Sequence, residues 1–320
     1  MADSSGDKGC EHCPGSHTGT LPCLASAAVK ARAWLAIEHP GPWPEYTETL
    51  DLPAPIARTV EAAERLGIRC QFIRRSGRRR PTPPLWVYAG HCAANGAPAG
   101  TAAGSWNTRS DSVWLEGRQL ADPAELAELD LAAVAAGVRP GFGDPVPGPL
   151  LLVCTHGRRN ACCARTGAPL ARELRARFGD AVWETTHVGG DRFAANLVCL
   201  PHGLYYGSLR LPEAVTAVEA YLRGEVVLDR LRGRAGMPEP AQAAEHYVRL
   251  DSGILGVDAV RVESLRGGSP YEATVTAAGR RYRVIVEHST GTDPCGPQCE
   301  ENLDTYVLGD LTLLNEASLV

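Results

Sequence analysis

The chain has 320 residues, 44% hydrophobic and 22% charged, with a net charge of −5 and a pI near 6.0. That length supports two or three domains with real cores, and the acidic balance argues against a nucleic-acid binder that works through phosphate contacts. No run of about 18 apolar residues is present, which excludes a transmembrane helix and a membrane partner, and the opening MADSSGDKGCEHCPG has no apolar stretch of a secretory signal. A soluble, cytoplasmic protein is the expectation. Lys8 and Lys30 are the only lysines among 32 basic residues, so 30 are arginine. Beside so much Ala, Gly and Pro, that bias reads as genome composition rather than arginine chemistry.

Residues 1–23, rich in Gly, Ser and Cys, predict a flexible arm. Leu24 to Ile37 fits a helix, or a helix followed by a strand, and the prolines of His39-Pro-Gly-Pro-Trp-Pro44 then break any regular structure. APIARTVEAAERL (54–66) predicts a helix stopped by Gly67. IRCQFIRR and LWVYAG predict strands around a basic turn that carries Arg74, Arg75, Arg78, Arg79 and Arg80. PAELAELDLAAVAAG (123–137) predicts another helix. Together these make an α/β domain over 24–145, ended by the proline- and glycine-rich RPGFGDPVPGP.

A second α/β unit is expected over 146–227. PLLLVCTH (149–156) has the continuous apolar run of a buried strand, APLARELRARFG (168–179) is an amphipathic helix, and AVWETTH, FAANLVCL and GLYYGSL follow as strands before the helix PEAVTAVEAYLRG. The order β-α-β-β-β-α resembles a thioredoxin-like layer. Residues 225–250 read as helices, and three alternating segments after them predict an antiparallel meander. YVLGDLTLL adds a strand or helix. The result is a small α+β module over 228–320. No internal repeat is visible.

Eleven cysteines in a chain without an export signal point to metal binding or catalysis rather than to disulfides. Cys154 ends a buried strand, and the polar loop THGRRNACCARTG returns Cys162 and Cys163 to a helix start, where backbone N–H groups offset thiolate charge. The next strand delivers His187, and HVGGD places Asp191 four residues on, with two glycines free to bend the backbone between them. Two thiolates, an imidazole and a carboxylate suit zinc or an iron–sulfur cluster, and spacing does not choose between them. Arg192 and Asn196 are placed to hydrogen-bond a cofactor there.

CTHGRRNACCARTGAPLARELRARFG, WETTHVGGDRFAANLVCLPHGLYYG and the upstream GTLPCLASAAVKARAWLAIEHPGPW together resemble the sucrase/ferredoxin-like family over about residues 18–224. The resemblance implies a thioredoxin-like ferredoxin domain and a 2Fe–2S cluster bound by two Cys and two His. Cys154 and Cys163 match the Cys pair, and His187 matches the first His of an HVGGH motif. Asp191 stands where that motif has its second His. Either Asp191 ligates through oxygen, or Cys162, Cys199 or His202 replaces it, or the cluster is absent or labile. The implied function is electron transfer with a redox partner protein. Imidazole in place of thiolate raises the potential of such a centre and couples it to pH. Zinc in a binding module is the alternative. A sucrase would need two carboxylates across a glycosidic bond, and no glycosidase motif surrounds Glu184 and Asp191. Cys10 and Cys13, with His12, His17 and Cys23, suggest half a metal site, and Cys295 and Cys299 would either complete it or form a dithiol switch.

Overall fold

The computed structural model describes residues 25–75, 84–92, 104–105, 113–291 and 303–314. Its first part runs β1 (Ala33–Glu38), α1 (Ala54–Arg65), β2 (Arg69–Arg74), β3 (Leu85–His91), β4 (Gly104–Ser105), β5 (Trp114–Leu120), α2 (Leu131–Ala135) and β6 (Asp144–Pro145). The second runs β7 (Leu150–Cys154), α3 (Ala161–Phe178), β8 (Val182–Thr185), β9 (Leu197–Leu200), β10 (Leu204–Tyr206), α4 (Leu211–Leu222) and β11 (Leu231–Arg234). The third holds α5 (Glu239–Ser252) and the meander β12 (Val260–Gly267), β13 (Tyr271–Ala277), β14 (Arg280–Gly291) and β15 (Leu303–Leu314). Among the described residues no helix is long and apolar enough to cross a membrane.

Strands of the first two parts share one ten-stranded sheet, in the order β11-β10-β9-β7-β8-β2-β1-β3-β5-β6. β1 is parallel to β2 and antiparallel to β3, and β3 is antiparallel to β5. The second part repeats that plan: β7 is parallel to β8 and antiparallel to β9, and β9 is antiparallel to β10. The units meet where β2 pairs antiparallel with β8, Ile73 against Thr185 and Arg74 against Glu184. They are thus related by a pseudo-two-fold at that pair. The duplication is in topology alone, which is why the sequence shows no repeat. A five-stranded sheet, β15-β14-β13-β12-β4, belongs to the third part.

Side-chain alternation along the strands builds three apolar layers. Ala33, Leu35 and Ile37 of β1 pack with Ile56 and Ala63 of α1 and Val134 of α2. Leu151 and Val153 of β7 pack with Leu170 and Leu174 of α3 and Val218 of α4. The intervening residues Trp34, Ala36, Leu150, Leu152 and Cys154 share a cluster on the other face, which spans both units. That face is curled inward: the rings of Trp34 and Tyr205 lie 6.3 Å apart although four strands separate β1 from β10.

The local departures from expectation have physical causes. Residues 25–32 form turns, not a helix, because Ser26 is tied by its backbone to Arg232. The stretch 123–137 divides into a 3-10 turn (Pro123–Glu128) and α2, since Asp122 and Asp130 each cap a separate start. Residues 225–250 are not all helical. Leu231–Arg234 is β11, which pairs with β10 at the sheet edge. The 306–314 segment is strand.

A buried ion cluster joins β11 to the third part. Glu245 accepts from Arg234 at 3.2 Å and from Arg249 at 2.9 Å, and both guanidiniums also donate to the Val257 carbonyl. Burial works against the Glu245 carboxylate, yet Arg234 and Arg249 hold it below the usual range. Glu245→Gln leaves two buried cations without a counter-charge, and a loss of about 3–5 kcal/mol is expected at pH 7. The depressed carboxylate stabilises the fold above its ordinary pKa of about 4.3. That contribution is lost as pH falls through the lower native value. Denaturant melts at pH 7 and in acid check both signs: wild type loses the advantage over the variant in acid.

Candidate metal centre

Because the two units are joined tail to tail at β2 and β8, the strand ends after β7, after β8 and after β1 converge at the junction. Cys154 is the last residue of β7 and points into the shared interior. Asn160 caps α3 by accepting from the Cys162 N–H at 2.8 Å, which starts the helix in time to return Cys163. Gly167 lets α3 approach β7: a Cβ there would stand 2.0 Å from the Cys154 carbonyl oxygen. His187 follows β8.

The donor atoms of Cys154, Cys163 and His187 all lie within 4.8 Å of one another, with Cys163 Sγ 3.8 Å from His187 Nδ1. Both cysteines are buried and His187 is half-buried. The Cys163 side chain, hydrogen-bonded to Cys154, and the adjacent His187 hold the Cys154 thiol well below the ordinary range against the opposing effect of burial. Cysteines outside the cluster behave in the opposite way. Burial pushes Cys70 up to about 12 and Cys92 up to about 11, and it raises Cys199 as well. Cys154 is thus shifted toward the thiolate, the form that binds metal.

The remaining expected residues are placed as follows. Cys162 is buried in the interior apolar cluster and is not one of the three converging donors. Asp191 opens a 3-10 turn (Asp191–Phe193), and its side chain lies outside the described part of the structure. Cys199 sits on β9 facing the α3 and α4 layer, opposite Cys154, so it does not reach the centre. His202 lies past the other end of β9, where it bonds Tyr221 Oη at 2.6 Å. Two of the three substitutes for a fourth ligand are thus removed by position. Arg192 stacks its guanidinium over Phe193 at 4.8 Å. Asn196 is fully buried, and its side-chain N–H donates to the Gly190 carbonyl at 2.9 Å. Glu184 accepts from Arg74 and from the Thr155 hydroxyl, both at 2.9 Å, which ties it to structure. Cys10, Cys13, Cys23, Cys295 and Cys299, with His12 and His17, lie outside the described residues.

Three further residues, His156, Gln71 and Arg232, position the site. His156, 2% exposed, accepts the His187 backbone N–H on Nδ1 at 3.2 Å. Its Nε2–H then donates to the Pro44 carbonyl at 2.6 Å. Its ring meets Trp43 edge-on, and Trp43 Nε1–H donates to the His39 carbonyl. The HPGPWP segment is thus a brace against the ligand loop. Gln71 of β2 accepts from the hydroxyls of Thr185 and Thr186, each at 3.0 Å, so the first unit also anchors the end of β8. Arg232 of β11, 2% exposed, donates to the Gly189 carbonyl at 2.9 Å, to Asn196 Oδ1 at 2.8 Å and to the Ser26 carbonyl. Gly190 has φ +68, and a Cβ there would lie 2.2 Å from the Arg232 guanidinium. Both conditions require glycine.

Two thiol sulfurs and an imidazole nitrogen at this spacing form a soft donor set that suits a metal. Residues 27–233 match the sequence model of one family, described as sucrase/ferredoxin-like. No curated protein and no solved structure matches the chain. The family match spans more than half of the sequence and contains all three converging donors, so the chain belongs to the sucrase/ferredoxin-like family.

Proposed function

We propose that this protein transfers single electrons through a 2Fe–2S cluster held by Cys154, Cys163 and His187, with Asp191 as the fourth ligand. The observation that carries the reading is the convergence of those three donors at the junction of the two units, within the matched family region. The strand order of the second unit supports a thioredoxin-like ferredoxin unit around it. When bound, such a cluster supplies one-electron redox chemistry whose potential rises as neutral imidazole replaces thiolate. The chain's own residues set its surroundings. His156 and Gln71 fix the backbone on either side of His187, and Arg232 with Asn196 holds the Gly189–Gly190 bend. The buried cysteines exclude water from one side, and half-buried His187 leaves the other side in reach of solvent and of a redox partner protein.

The second reading is a single zinc ion in a binding module. It draws on one distance. Zn–S of about 2.3 Å and Zn–N of about 2.0 Å put two tetrahedral ligands about 3.5 Å apart, close to the 3.8 Å between Cys163 Sγ and His187 Nδ1. His187→Cys separates the two. A cluster protein keeps its colour in this variant, and its potential falls by roughly 100 mV or more as a thiolate adds negative charge. Any pH dependence conferred by His187 vanishes with it. A variant and wild type that are both redox-silent in protein-film voltammetry reject electron transfer.

A further inference from the structure

We propose that the rim around His187 is a docking face for an acidic redox partner, an inference that rests on the electron-transfer reading and names its partner's chemistry. Of the three donors only His187 approaches the surface, since Cys154 and Cys163 are 1% and 0% exposed. An electron therefore has its shortest way out past the imidazole, and a partner must seat on the residues that surround it.

The segment that leads from Cys154 through Cys163 into α3 is charged in one sense. From Thr155 to Arg172 the chain carries Arg158, Arg159, Arg165 and Arg172 and no Asp or Glu. With 37 acidic residues in 320, a stretch of that length would hold about two, so an arginine-rich composition does not account for their absence. Arg158, Arg159 and Arg165 are exposed in a protein whose net charge is −5. Arg192 follows in the turn after Gly190, next to Asp191, the proposed fourth ligand. Glu45 and Glu48, both exposed, flank Tyr46 on either side in the chain.

The rim also has the composition of an interface centre. Tyr46 is 53% exposed, and the Arg159 guanidinium lies 5.1 Å above its ring. Exposed Tyr and Arg together are the residue types that dominate binding hot spots. Tyr46 lies two residues past the HPGPWP brace, which prolines and the His156–Pro44 and Trp43–His39 bonds hold rigid. A rigid face loses little freedom when it docks. Positive charge around the exit steers an anionic surface into contact and sets the rate rather than the potential.

The step is an outer-sphere transfer: the reduced centre loses one electron, one ferrous iron becoming ferric, and the partner's oxidised group gains it. Anionic ferricyanide and cationic hexaammineruthenium(III) serve as acceptors for the reduced holoprotein in anaerobic stopped flow. The ferricyanide rate is expected to fall about tenfold between low and roughly 200 mM salt, and the ruthenium rate to rise. R158E/R159E, with unchanged iron content, is expected to slow ferricyanide about tenfold and to speed the cation. Equal salt responses for both acceptors, or a variant indistinguishable from wild type, overturn the docking face. Retention on a sulfopropyl resin at pH 7 judges the surface without any cluster. Wild type is expected to be held despite its net charge and R158E/R159E/R165E to be released earlier, whereas identical elution overturns the proposal. A protein free of iron would fail the electron-transfer reading alone, and the resin would still decide the surface.

Discussion

Cys154→Ala is expected to strip the centre of metal, while Cys199→Ala, at an equally buried position on the neighbouring strand β9, keeps it. Structural metal sites of this donor type bind with about 10–16 kcal/mol spread over four ligands. One ligand is then worth about 3 kcal/mol, or roughly a hundredfold in affinity. Metal content per chain after gel filtration, measured by mass spectrometry of the metals, should drop to background for the first variant and stay at the wild-type value for the second. The two cysteines are both fully buried, so loss of packing affects them alike. What differs is the face: Cys154 points into the interior with Cys163 and His187, and Cys199 points at α3 and α4. Equal metal content in both variants would refute the ligand assignment.

Gly167→Ala is expected to destabilise the protein by about 3 kcal/mol or more and to lower its metal content. Within a helix, alanine is ordinarily favoured over glycine by about 1 kcal/mol, so intrinsic propensity predicts the opposite sign. Here the added Cβ would stand 2.0 Å from the Cys154 carbonyl oxygen, and backbone, unlike a long side chain, cannot swing aside. α3 must then move off β7. Cys154 is on β7 and Cys163 on α3, so that movement separates the two sulfurs. Gly148→Ala, with nothing within 4 Å of the new methyl group, is the control and should be neutral. Thermal melts with metal analysis of both variants give the sign directly, and a Gly167→Ala protein that is as stable and as metal-rich as wild type refutes the close approach.

Much of the second unit was legible in its residues. LLLVC reads as a doubly covered strand because both of its faces are covered, and α3 and α4 announce themselves through apolar spacing and terminal glycines. Cys154, Cys163 and His187 were legible because each sits at the end of a regular element. The rest depended on contacts between distant segments. The duplication could not be read, since the units share strand order but not residues. The LRGR of β11 alternates poorly and carries no strand signal of its own, and its strand character comes from pairing with β10. Arg232 was invisible for a compositional reason: where nearly every cation is arginine, one buried arginine carries no mark. His156 did have a mark, lying two residues after Cys154, but its partners Pro44 and His187 are brought to it only by the junction of the units.

The most direct test is the quantification of iron, acid-labile sulfide and zinc in anaerobically purified protein, with its visible spectrum. The electron-transfer account predicts a brown protein with iron and sulfide in equal amounts, about two of each per chain. A colourless protein that holds zinc, or one that takes up no cluster on reconstitution, contradicts it.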